Sequence, residues 1–170
     1  MVDSCTQTEG FRAFALEAYT LFINRTQDWA AESTARLHMR MASRSDTPPH
    51  VLAALARAEA VSVLERVAEN PRTPVDVLEQ LARHESAAVR AAVSENENVP
   101  GRTLLTLSAD EDPDVRFKMA ENPRLSPLIL RQLAADDNPF VAFRAQKTLL
   151  RIKPADVVEM NAPRRKLLCV

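Results

Sequence analysis

Glycine is almost absent from this chain. Its 170 residues include only Gly10 and Gly101, against eleven prolines. That excludes a glycine-rich phosphate loop and a series of glycine-dependent hairpins. Aromatic residues make up only 5 %, so a core has to come from Leu, Val, Ala and Met. Cysteine is confined to Cys5 and Cys169, at opposite ends. No CxxC spacing is present for zinc or a cluster, and two distant thiols are no disulfide framework. The apolar runs are far shorter than the roughly 20 residues that span a bilayer. The first thirty residues lack the basic-then-apolar pattern of a secretion signal, and neither end carries a lipidation motif. These absences predict a soluble, cytoplasmic protein in a reducing compartment, with no cofactor.

Charge of one sign is missing too. Lys and Arg number 22 and Asp and Glu 23, for a formal charge of −1. Residues 45–148 hold 12 basic and 16 acidic side chains, and residues 149–170 hold 5 and 2. An acidic body argues against a polyanion clamp.

What the chain does have is an internal period. Asn70, Asn96 and Asn122 stand 26 residues apart. Leu52, Leu78, Leu104 and Leu130 share that spacing, as do Leu55, Leu81, Leu107 and Leu133. Val63, Val89, Val115 and Val141 form a third column, and Val67, Val93, Met119 and Ala145 a fourth. The units are 45–70, 71–96, 97–122 and 123–148. Each reads as two short helices: Leu78, Leu81 and Ala82 share one helical face, and Val89, Ala92 and Val93 repeat the spacing. Thr73-Pro74, Thr47-Pro48 and Ser126-Pro127 are helix starts, a hydroxyl cap followed by proline. Asn70-Pro71 and Asn122-Pro123 are helix ends, where Asn tolerates a left-handed turn. Nine of the eleven prolines lie inside the repeats, so proline does the turning that glycine cannot.

Helix pairs this short cannot bury their apolar stripes alone, so neighbours must stack. The expected fold is all-α, a right-handed α-solenoid of four 26-residue helix-pair repeats with helical caps. Residues 1–44 are the amino-terminal cap. Gly10 to Asn24 carries apolar residues at helical spacing. A second helix follows from an Asp28 cap to about Arg44, its first turn holding Trp29, its Leu37 and Met41 falling 26 residues before Val63 and Val67. Residues 149–170 form a carboxy-terminal cap, with a possible short turn over 154–160, and a basic tail ending Arg164-Arg165-Lys166.

The string NPRTPVDVLEQLARHESAAVRAAVSEN, Asn70 to Asn96, resembles the leucine-rich-repeat variant family of bacterial proteins. It has the same order of Asn-Pro, Thr-Pro, Leu-x-x-Leu-Ala and Val-Arg. DPDVRFKMAEN, Asp112 to Asn122, is similar to a HEAT-type repeat. The resemblance covers about 45–150. It implies an interaction scaffold in which one helix of each unit is α and the other closer to 3₁₀. Some members hold an iron–sulfur centre on an amino-terminal cysteine cluster. With only Cys5 there, no cluster is assigned.

Candidate chemistry is sparse. Arg90 and Arg116 form a Val-Arg column that either grips phosphates or carboxylates or ties neighbouring units. For the second, Asp112 and Asp114 just before Arg116 are the candidate partners, as in HEAT-like repeats. Glu69, Glu95 and Glu121 are either an acidic stripe or solvated helix ends. Arg36, Arg40 and Arg44 make a basic stripe near His38. His38, His50 and His84 have no metal-like spacing. The acidic run from Asp110 to Asp114 lacks the glycine and terminal glutamate of a calcium loop and reads as a capping turn. No catalytic constellation emerges. The expected function is a non-enzymatic scaffold binding a protein partner along one face. That face is read onto the second helices through Arg90, Ser94, Arg116, Lys118, Arg144 and Lys147, with Arg36 and Arg40 as the next place. The alternative is a nucleic-acid-associated HEAT-like protein, DNA-binding or glycosylase-like.

Overall fold

A computed structural model describes residues 32–152. The expected helix over Gly10–Asn24, the Asp28 cap, Trp29, both cysteines, and everything from residue 153 onward lie outside them. Among the described residues the chain is all-α. Helix α1 occupies 32–42. Four short helices follow at intervals of 26 residues: α2 (Pro49–Leu55), α4 (Val75–Leu81), α6 (Gly101–Leu107) and α8 (Pro127–Leu133). Between them run α3 (Val61–Glu69), α5 (Ala87–Glu95) and α7 (Pro113–Glu121), and the last, α9 (Pro139–Arg151), is longer. The helices pack in a sequential, repeating pattern. The closest approaches run from α3 to α5, α5 to α7 and α7 to α9.

The four apolar columns are the core. Leu52, Leu78 and Leu130 are buried, as are Leu55, Leu81, Leu107 and Leu133. All members of the Val63 and Val67 columns are buried. Leu104 alone among these sixteen is only half-buried. Between units, therefore, β-branched and leucine side chains interdigitate with almost no aromatic help.

Both helices of each unit are α-helical. The short ones begin and end with tighter bonds, so the 3₁₀ character is confined to their terminal turns. In α2, Pro48 O accepts from Val51 N at 3.0 Å and from Leu52 N at 3.2 Å. At the other end Ala56 N donates to Leu52 O at 2.9 Å, and Arg57 N to Ala54 O at 3.2 Å across only three residues.

The helix ends differ from expectation. Among the described residues none has a positive φ. Asn70 ends α3 at φ −70° and ψ 126°, extended, not left-handed. Asn96 and Asn122 do the same. The prolines also move by one place. Pro48, Pro74 and Pro100 are the N-cap residues of α2, α4 and α6. The preceding threonine hydroxyls turn back, Thr47 Oγ1 to Met41 O and Thr73 Oγ1 to Val67 O, each at 2.5 Å. Only Ser126 caps as expected, accepting from Ile129 N at 3.4 Å, with Pro127 at the first helical position. The amide-free ring tolerates an N-cap site because the first helical N–H groups are unpaired anyway.

The expected register of α1 also fails. Leu37 and Met41 are exposed. The face packed on the core is Ala35, Met39 and Ala42, at i, i+4 and i+7. Ala42 is the period mate of Ala68, so only the last turn of α1 joins the repeat.

Leu81→Ala should cost about 2–5 kcal/mol through the cavity it leaves. Leu104→Ala should cost distinctly less, because Leu104 already faces open space. Urea denaturation of the two variants decides it: equal losses would mean the four columns pack alike.

Candidate functional site

Two ladders of polar contacts run along the stack. The first is built from the asparagines that end the second helices. Asn70 Nδ2 donates to Ala42 O at 2.6 Å and Arg44 O at 2.8 Å. Asn96 Nδ2 donates to Ala68 O and Asn70 O at the same two distances. Each Oδ1 accepts from the backbone N–H two residues on, Arg72 and Asn98, at 2.9 Å. The extended backbone at the helix end aims the amide across the unit boundary. Thr148 holds the equivalent place in the last unit, and its hydroxyl donates to Ala120 O at 2.6 Å. A one-residue scan of the 26-residue column from Asn122 would have found it. Asn122 keeps only the local half, accepting from Arg124 N at 2.9 Å.

The second ladder is ionic. Arg90 is buried, and its Nε and Nη2 donate to the two oxygens of Asp110 at 2.8 and 2.9 Å. Its Nη1 donates to the carbonyls of His84 and Glu85. Arg116 repeats this with Asp136, at 2.7 and 3.1 Å, and with the carbonyls of Asp110 and Glu111. Planar, two-pronged pairing of this kind fixes orientation as well as distance. So the column ties neighbouring units, but through Asp110 and Asp136, not Asp112 and Asp114. The signal was present: His84, Asp110 and Asp136 are themselves 26 residues apart. All three accept from the N–H two residues on, His84 through Nδ1 from Ser86 at 3.0 Å, the aspartates from Asp112 and Asn138. Asp112 in turn caps α7, accepting from Asp114 N at 2.8 Å.

The ionic ladder ends where its residues change. The arginine column reads Leu64 in the first unit and Ala142 in the last, and opposite Leu64 stands His84. By sequence position, Leu64 and His84 hold the places that arginine and aspartate hold in the two joints that follow.

Electrostatics follow the geometry. Burial pushes the Asp110 carboxyl up, but the Arg90 hydrogen bonds, the Asp112 N–H and the nearby guanidinium charges outweigh it and hold it below the ordinary range. The Arg116 hydrogen bonds hold Asp136 down against a smaller opposing effect of burial. Arg90 and Arg116 are raised, first by their aspartate hydrogen bonds.

These contacts redistribute the residues expected to bind a partner. Arg90 and Ser94 are buried, Ser94 donating to Ala91 O at 2.7 Å, so neither presents itself to another molecule. Arg116 is spent on Asp136. Lys118 pairs with Glu95 at 3.2 Å and Arg144 with Glu121 at 2.8 Å, so two of the three glutamates bridge units instead of forming a free acidic stripe. Glu69 pairs within its own helix, with Arg66 at 2.6 Å. Lys147 is exposed. In the basic stripe Arg36 is paired with Glu32 and Arg44 with Asp46, while Arg40 is exposed. Among the described residues no three His, Cys, Asp or Glu side chains are grouped to hold a metal, and no helix is long and apolar enough to cross a membrane.

Asp110→Ala should cost about 3 kcal/mol or more, because it strands a buried guanidinium. The double variant R90L/D110H, which copies the Leu64–His84 joint, should recover much of that loss in urea denaturation. A double variant as unstable as the single one would show the ladder to be more than a joint.

The lowered carboxyls set a direction in pH. Above the unfolded-state value of about 4 both states are ionised and the pairs contribute fully. As pH falls, the unfolded chain takes up protons first, so stability is lost progressively toward the folded-state values. Denaturation midpoints should hold from pH 7 to about 5 and fall below about 4. The fall should be shallower in D110N/D136N, which starts from a lower midpoint.

No curated protein and no solved structure matches the chain. One stretch does match a family: residues 87–112, a full period from the start of α5 to the N-cap of α7, match the leucine rich repeat variant.

Proposed function

We propose that the chain is a non-enzymatic scaffold, a right-handed α-solenoid that binds another protein along the face of its second helices. Support for a curved stack comes from packing. The second helices approach one another more closely than the short helices do, as elements on the inside of a curve must. Outward positions at the same period then lie side by side and make one extended surface.

The observation that carries the reading is on α9. Phe140 and Phe143 are 74 % and 67 % exposed in a chain with few aromatics. They stand at i and i+3, with Arg144 and Lys147 each four residues beyond one of them, so the four side chains share a face. Exposed aromatics beside cations are the composition of protein interface centres. Half-buried Phe117, one period before Phe143, extends the same row onto α7.

Charge reversal at Lys118 and Arg144 would also break their bridges to Glu95 and Glu121, so the aromatics make the cleaner test. The double variant F140S/F143S should melt within about 2 °C of the parent, since exposed positions contribute little. It should lose the proteins that the parent chain retains from native lysate. Unchanged retention by a folded double variant would move the partner off this face.

A further inference from the structure

The ladder of asparagine contacts is interrupted at one place, and the core opens there. Asn70 and Asn96 are buried with both amide hydrogens on carbonyls of the preceding unit. Asn122 is half-buried, and its Nδ2 makes no hydrogen bond among the described residues. Asn122 lines a groove of about 1030 Å³ at the edge where second helices hand over to the next short helix. Leu104, the one column leucine left half-buried, lines the same groove. So does Gly101, and a Cβ built there would meet nothing within 4 Å. Three departures from the repeat therefore coincide: a released amide, an uncovered leucine and a missing side chain.

The lining says what fits. Its floor is apolar, from Val99, Leu104 and Leu125. The Asn122 amide is the group that elsewhere in this chain takes up backbone carbonyls. Among the charges, Arg124 is paired with Glu97 at 2.6 Å and Glu95 with Lys118 at 3.2 Å. Arg72 spends one donor on a carbonyl, that of Asp46 at 3.2 Å, and Arg151 is exposed. Neither has a carboxylate within ion-pair distance among the described residues; the Asp46 carboxylate near Arg72 is paired with Arg44 at 2.8 Å. The uncompensated charge of the groove is thus positive. Nucleic acid fits poorly, because among the described residues no aromatic side chain lines the groove for base stacking and two glutamates stand at its rim. The groove extends over the turns that follow α3, α5 and α7, which suits a linear occupant.

We propose that this groove docks an extended, acidic polypeptide segment of another protein, one backbone carbonyl taken up by the Asn122 amide and its carboxylates facing Arg72 and Arg151. The proposal rests on the reading of the chain as a protein-binding scaffold but uses a different surface from the α9 aromatics, so each can fail alone.

The test is a selection of random decapeptides displayed on phage against the full-length chain. Enriched sequences are expected to carry two or more Asp or Glu around a Leu, Ile or Val. A synthetic peptide from that set should bind at least 10-fold more weakly to Gly101→Glu, which fills the groove with opposing charge. Arg72→Glu with Arg151→Glu should weaken it as much. Binding to F140S/F143S should be unchanged, and thermal melting should show all three variants folded. Failure of enrichment, enrichment without acidic bias, or full affinity for the groove variants would overturn the proposal. So would displacement of the peptide by oligothymidylate, which would assign the groove to polyanions. A dimer in sedimentation that Gly101→Glu dissociates would assign it to a second copy, and overturn the proposal equally.

Discussion

The structure depends on one side chain reaching across a unit boundary to two backbone carbonyls. A short helix pair has few side chains with which to specify where its neighbour sits, and an apolar interface alone is tolerant of sliding. The amide of Asn70 or Asn96 removes that tolerance. It holds the carbonyls of the residues 28 and 26 positions earlier, so it fixes both rise and rotation from one unit to the next. Its other end closes the turn that begins the following short helix. One residue thus couples the end of one helix, the start of another and the spacing between units. Unsatisfied, the same buried amide would be costly, which makes the alternative registers poor competitors.

The arginine–aspartate joints act on the opposite ends of the second helices. There the guanidinium closes its own interhelical turn through two carbonyls and grips the next unit through a carboxylate. Helix α5 is therefore tied at both ends by its own residues, Arg90 and Asn96, and α3 and α7 at one end each, by Asn70 and Arg116. Paired charges of this kind specify geometry more than they add stability. At the first joint the two equivalent positions are Leu64 and His84.

This division explains why the charges at the repeated outward positions of the second helices are engaged within the chain. Glu95, Glu121, Lys118 and Arg144 look like an outward mixed-charge face, yet they bridge units. Two other places stand out: the exposed aromatics of α9, and the groove where the asparagine ladder lapses. The groove is a departure from the period, at Asn122, Leu104 and Gly101.

The sequence by itself determined the helices and their core. Leu81 and Val89 could be placed because helical periodicity within a unit and the 26-residue period between units both lie along one chain, and solvent exclusion acts on them position by position. It also carried the family likeness that residues 87–112 bear out. The tertiary structure alone decided the partners. Arg116 had Asp112 and Asp114 close in sequence, but the Asp112 carboxylate caps the α-helix that starts at Pro113 by accepting from Asp114 N, while Asp136 arrives from the next unit. Asn70 looked like a left-handed stop because its neighbours on the chain give no reason for an extended backbone; the reason is a pair of carbonyls in the preceding unit. Leu37 matched its column by number, yet α1 is rotated so that Ala35, Met39 and Ala42 meet the core. Which polar groups meet depends on how units superpose, and that is a property of the stack, not of any stretch of residues within it.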